Sequence, residues 1–89
     1  MESALDKQLD ESMAQTGVVG VMCVDQKGLC LGVRGNSTPE GAGHVATLAN
    51  KARELAPYGV EPVVVLESPG CNVLIKQHNG ITLAVNKVL

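Results

Sequence analysis

The sequence predicts an α+β domain, one antiparallel sheet with helices packed against it. Three observations lead there. The stretch VVGVMCVDQKGLCLGVRG, residues 18–35, reads as two apolar strands joined by the tight turn Asp25-Gln26-Lys27-Gly28. Aspartate opens such turns by bonding the backbone further on, and glycine closes them because it tolerates positive φ. Asn79-Gly80 is the strongest short hairpin signal in the chain. The order of elements is helix, two strands, helix, three strands, with a hairpin before the second helix and a meander after it, which favours a single antiparallel sheet.

The first helix is expected over residues 3–15, with Ser3 as cap and Asp6 at the third helical position. Leu5, Leu9 and Met13 recur every four residues and give one narrow apolar stripe; Thr16-Gly17 ends it. The first strand, residues 18–24, is apolar on both faces, because Val19, Val21 and Cys23 alternate with Val18, Met22 and Val24. Such a strand must be covered on both sides. A second strand is expected over residues 29–34, followed by a loop through Gly35-Asn36-Ser37. Thr38-Pro39-Glu40 is a strong helix start, with a hydroxyl cap, proline at the first position and an acid in the first turn. Helix two runs to Leu55 or Ala56, where Pro57-Tyr58-Gly59 stops it. Strands follow at residues 62–67 (PVVVLE), 72–77 (NVLIKQ) and 81–88 (ITLAVNKV), with Ser68-Pro69-Gly70-Cys71 as the first connecting turn.

Helix two is apolar over too wide an arc. At about 100° per residue, Ala42, Val45, Ala46, Leu48, Ala49, Ala52, Leu55 and Ala56 cover roughly half the circumference, whereas a helix lying on one sheet needs a stripe nearer ~100°. Alanine is also simply a good helix former. The surplus width nevertheless points to a second surface, approached closely over alanines. A charge at Ala49 is expected to weaken association without unfolding the chain.

The chain of 89 residues is expected to form a single domain, residues 1–89. It has no Phe, no Trp and one Tyr, so the core must be built from aliphatic side chains. A domain this small is marginal alone, and a partner would help it. A net charge of −2 without aromatics for stacking argues against nucleic acid. The three cysteines, Cys23, Cys30 and Cys71, form no disulfide framework. The polar, acidic start MESALDKQLDES is not a signal peptide, and runs such as Val63-Val64-Val65-Leu66 fall far short of the ~20 residues of a membrane span. Met1-Glu2 lacks the glycine of a myristoylation site, and the Val88-Leu89 end has no prenylation cysteine. The expectation is a cytoplasmic, reduced protein that reaches membranes only through partners.

Taken jointly, the blocks VVGVMCVDQKGLCLGVRG, AGHVATLANKA, VVVLES and IKQHNGITLAVNKV resemble the roadblock/dynein-light-chain family, and most closely its small Ragulator-subunit branch. The joint match lies in the D-x-x-G turn, the LES strand end and the H-N-G-I-T hairpin, which fall in the right order and spacing. The resemblance implies a roadblock-like (profilin-like) fold, α-β-β-α-β-β-β. Its five-stranded antiparallel sheet would carry helix two on one face and helix one on the other. The absence of a C-terminal helix departs from the general family pattern and agrees with the Ragulator branch.

The resemblance also implies dimerisation, with helix two packing on its counterpart and residues 62–67 pairing edge to edge. The partner would be a second, different roadblock-type Ragulator subunit. The pair would be held by a lipidated wrapping subunit at the cytosolic face of the lysosome, docking Rag GTPases and supporting amino-acid-dependent activation of the TOR kinase. Binding of apoptosis regulators and of a viral X protein is associated with the same branch. Two features read from the residues agree with dimerisation: the over-wide arc of helix two, and the apolar run Val63-Val64-Val65-Leu66, an aggregation hazard on any sheet edge left uncovered. The expected contact residues are Val45, Ala46, Ala49 and Ala52 on helix two with Val63, Val64 and Val65 on the strand.

No catalytic constellation accompanies these features. The three cysteines with His44 and His78 lack ligand spacing such as C-x-x-C, so no metal is expected. Neither histidine has a nucleophile placed beside it by motif. Gly32, Gly35, Gly41 and Gly43 match neither the P-loop nor the dinucleotide fingerprint, so no cofactor is expected. Glu67 and Asp25 read as exposed charges capping a strand end and a turn. The leading expectation is a non-catalytic scaffold subunit. The alternatives are a dynein-associated light chain of the same fold and, in another class, a small thiol- or metal-dependent enzyme.

Overall fold

In the computed structural model of the chain, which describes residues 4–88, the elements follow in the expected order. They are α1 (Ala4–Met13), β1 (Val18–Val24), β2 (Cys30–Gly35), α2 (Ala42–Leu55), β3 (Val63–Ser68), β4 (Cys71–His78) and β5 (Ile81–Val88), with one 3-10 turn at Pro39–Gly41 leading into α2. The Ser3 cap lies outside the described residues, and no helix follows β5 among them.

The strands form one sheet in the order β2-β1-β5-β4-β3, antiparallel throughout. The two faces of β1 are buried under different helices, as its double-sided apolar pattern requires. Met22 and Val24 join Ile75, Ala84 and the α2 residues Ala42, Val45, Ala46 and Ala49 in one cluster. Val21 and Cys23 point the other way and pack with Leu9 of α1.

Local chemistry sets the turns. The Asp25 carboxylate accepts the N–H of Lys27 at 2.9 Å and of Leu29 at 2.8 Å, and Gly28 takes φ +89°. Asp25 is thus a half-buried turn anchor rather than an exposed charge. Asn79 and Gly80 both have positive φ, as a two-residue hairpin of the favoured twist requires.

Helix α1 sits close on β2 because Gly32 leaves room for it. A Cβ at Gly32 would lie 2.8 Å from Cδ1 of Leu9, which is fully buried. Arg34 then fixes how the helix is turned, donating to Asp10 at 2.9 Å and Asp6 at 3.2 Å. These charge-assisted bonds, Asp10's first, raise the guanidinium pKa further.

Two details depart from the sequence reading. Thr38 has the extended backbone of a helix cap but makes no side-chain cap bond. The chain tightens instead into the 3-10 turn, where Ala42 N–H donates to the Pro39 carbonyl. The β1–β2 register also shifts between Cys23 and Val24, which face Gly32 and Cys30, so Leu31 is an extra residue in a bulge.

Candidate subunit interface

The sheet has two edges, β2 and β3. The bulge at Leu31 breaks the regularity of β2, which blunts it as a template for further pairing. β3 has no bulge. It pairs residue for residue with β4 from Val63↔Lys76 to Ser68↔Cys71, and its other side has no neighbouring strand among the described residues. Along it Val63 is 50% exposed, and Val65 and Leu66 are 45% exposed each. Val64 alternates with them and packs half-buried against the α2 cluster. Of the three valines singled out from the sequence, Val63 and Val65 are therefore open to a second chain, while Val64 serves mainly this chain's own core.

Helix α2 divides differently from the expectation. Val45, Ala46 and Ala49 are buried against the chain's own sheet, and Ala52 is half-buried. Val45, Ala46 and Ala49 thus serve this chain's own core, and Ala52 stays partly open. The helix uses its alanines to approach its own sheet. Its exposed apolar side chains are Leu48 and Leu55, seven residues apart and so two turns along one stripe. His44 and Lys51 are exposed with them, and Lys51 leans 3.7 Å from Glu54. The sequence did carry a signal for this stripe, since both leucines lie within the surplus arc.

A polar cluster closes one end of the α2–sheet contact. Gln77 on β4 and Thr82 on β5 are opposite each other in the sheet and both buried. Gln77 accepts from Arg53 at 2.6 Å and donates to Asn50 at 3.0 Å and Thr82 at 3.2 Å. No motif marks this cluster in the sequence. Its work is structural: it ties the C-terminal half of α2 to β4, and every donor and acceptor of the Gln77 amide that it uses is matched.

The residues with chemical potential stay apart. Burial, first, and neighbouring Cys30 raise the Cys23 thiol above its ordinary range, which disfavours the reactive thiolate. Among the described residues no three His, Cys, Asp or Glu side chains converge on a point where a metal would sit. His44 is exposed on α2. His78, also exposed, lies 2.9 Å from the Glu61 carboxylate through Nδ1, and that bond holds the Glu61 carboxyl below its ordinary range. A groove of about 580 Å3 runs on the α1 side between Leu5, Gln8, Cys23, Ile81 and Leu83. Lys76, His78 and Asn79 also line it, and no hydrogen bond joins His78 to the Cys23 thiol.

The exposed β3 edge and the α2 stripe are the main features of this surface, and comparison with known proteins gives the chain's family. The family model described as Ragulator complex protein LAMTOR5 matches residues 1–87. The chain belongs to the LAMTOR5 family. The LAMTOR5 homolog of Nematostella vectensis is 48% identical, covering 99% of this chain and 98% of its own length. The LAMTOR5 of Xenopus laevis is 39% identical over the same shares. A homolog from Dictyostelium discoideum is also 39% identical, over 94% of this chain and 99% of its own. LAMTOR5 relatives are named as subunits of a complex, and the family is one of non-catalytic scaffold proteins.

The fold of this LAMTOR5 family member is that of roadblock/LC7 domains. A roadblock/LC7 domain from Streptomyces avermitilis superposes with a TM-score of 0.79 at 20% identity, over 97% of this chain and 79% of that one. The gliding protein MglB from Thermus thermophilus gives 0.77 at 16% identity, over 99% and 76%. No described helix is long and apolar enough to cross a membrane.

Proposed function

We propose that the chain is a scaffold subunit that pairs with a second, different roadblock-type Ragulator subunit through the β3 edge and the exposed stripe of α2. A lipidated wrapping subunit holds the pair at the cytosolic face of the lysosome. There the assembly docks Rag GTPases and supports amino-acid-dependent activation of the TOR kinase. The observation that carries this reading is β3: a regular, unblunted edge strand whose Val63, Val65 and Leu66 are about half exposed. Such an edge invites another strand, and its side chains supply the apolar area that a partner would bury. Membership of the LAMTOR5 family supplies the kind of complex.

The test is mass by light scattering, on the purified chain alone and after co-expression with a second roadblock-type Ragulator subunit. The expected result is a stable one-to-one complex from a chain that self-associates or aggregates by itself. A well-behaved monomer that ignores the partner would overturn the reading.

A further inference from the structure

The chain has a single aromatic residue and does not use it inside. Tyr58 is fully exposed, at 106% of its reference area, between Leu55 at 88% and Val60 at 52%. A lone exposed apolar side chain is ordinary, but three in six residues around the only aromatic ring make a patch. The backbone beneath them is an ordered turn. Val60 N–H donates to the Pro57 carbonyl at 3.1 Å, and Gly59 at φ +84° puts Tyr58 on the outer corner. Both flanks are tied to β4. Arg53 holds the buried Gln77 at 2.6 Å before the turn, and Glu61 holds His78 at 2.9 Å after it.

We propose that this turn is the anchor of the subunit contact, with Tyr58 as the specificity-determining residue entering an apolar pocket of the second roadblock subunit. The proposal rests on the pairing reading above and adds the side chain that decides it. Two arguments choose that occupant. The turn is the direct link between α2 and β3, so it is continuous with both elements of the proposed contact. The β3 and α2 aliphatics leave contact area to be found, since Leu48, Val63, Val65 and Leu66 are already covered over half their area or more and only Leu55, beside the turn, is largely open. A specific interface needs about 800 Å2 per partner. A buried aromatic supplies about 150–250 Å2, roughly a fifth to a third of that. Tyrosine gives this area with few torsions to freeze, and a turn tied at both ends has met most of its ordering cost before binding. The pocket has apolar walls and a polar group or water at its base for the phenol hydroxyl.

Because the chain has one tyrosine, ring labelling with 13C reports on Tyr58 alone. The ring signal is followed with a soluble paramagnetic probe, first on the free chain and then with the unlabelled second roadblock-type Ragulator subunit. The expected result is strong broadening in the free chain and protection in the complex. Y58A is expected to bind at least about thirtyfold more weakly and Y58F within a few-fold, both melting like the parent because the ring touches no core.

A complex in which the ring stays open and Y58A binds as tightly overturns the anchor and leaves pairing intact. Absence of any complex overturns both. Ring protection in the free chain that grows with concentration and is lost when the second roadblock subunit is added assigns the turn to a second copy of this chain and overturns the proposal.

Discussion

Leu48 and Ala49 are neighbours in sequence with opposite surroundings: Leu48 is 39% exposed and Ala49 is 3% exposed. A charge at Ala49 lies in the dry contact between α2 and the sheet, with no partner for it. A49E is expected to cost about 3 kcal/mol or more, a large share of the ~5–15 kcal/mol that holds a small domain together, and to appear as a collapsed denaturant midpoint. L48E is expected to leave that midpoint nearly unchanged and to weaken pairing in light scattering. The opposite expectation for Ala49 followed from reading the wide arc without knowing its centre. Periodicity gives the width of an apolar arc, but the direction facing the sheet is fixed by size. At the centre of a close helix–sheet contact only short side chains fit, so Ala42, Ala46 and Ala49 take the middle with Val45 beside them, and the leucines are left at the flank. The turn chemistry of Asp25, Gly28, Asn79 and Gly80 was legible because it is local, each residue acting within four positions of itself.

Elements carry the same distinction between local and distant causes. β1 and β5 have the bounds their apolar runs predict, and the faces of β1 follow from alternation alone. The bulge at Leu31 was not legible, since it arises from the register of β2 against β1. The α2–β3 connection was legible only as a stop, in Pro57-Tyr58-Gly59. Its fixation comes from partners 24 and 17 residues away, Arg53 to Gln77 and Glu61 to His78. The second tie has a pH signature. The imidazole hydrogen bond holds the Glu61 carboxyl below its ordinary 4.5. A depressed carboxyl stabilises the fold above its unfolded pKa and loses that contribution as pH falls through the folded value, so the window runs downward from about 4.5. The pair is exposed, and its effect on global unfolding is small. The carboxyl carbon of Glu61, followed by NMR through an acid titration, is expected to turn below 4.5 and to move upward in H78A. An unchanged midpoint in H78A would show that Lys76 and Arg53, which act in the same direction, hold the carboxylate without it.

At the scale of the whole molecule, the sheet is covered unequally. α2 contacts β1, β5, β4 and β3, while α1 rests on β1 and β2, so the β3 side of the sheet is clothed on one face only. The described core has no aromatic side chain, and two of its largest buried side chains are valines, so this small domain has little apolar volume to spare. Exposed Leu48, Leu55, Tyr58, Val60, Val63, Val65 and Leu66, on α2, β3 and the turn between them, are side chains that another chain could bury. If pairing buries them, folding and association are linked, and stability must depend on partner concentration. At a partner concentration one hundred times Kd the linkage adds about 2.7 kcal/mol. For a domain of this size, about 4–8 °C of melting temperature per kcal/mol makes that roughly 10–20 °C. Scanning calorimetry with increasing second roadblock subunit is expected to show this rise for the parent chain. L48E is expected to start from the same melting temperature and to rise less at each partner concentration, because its folded monomer is intact and its contact is not. V65K tests the β3 edge in the same way, since a half-exposed side chain tolerates lysine while a paired edge does not. A melting temperature that ignores the partner in the parent chain would place its function outside pairing. A parallel rise in all three chains would place the contact on a surface other than β3 and α2.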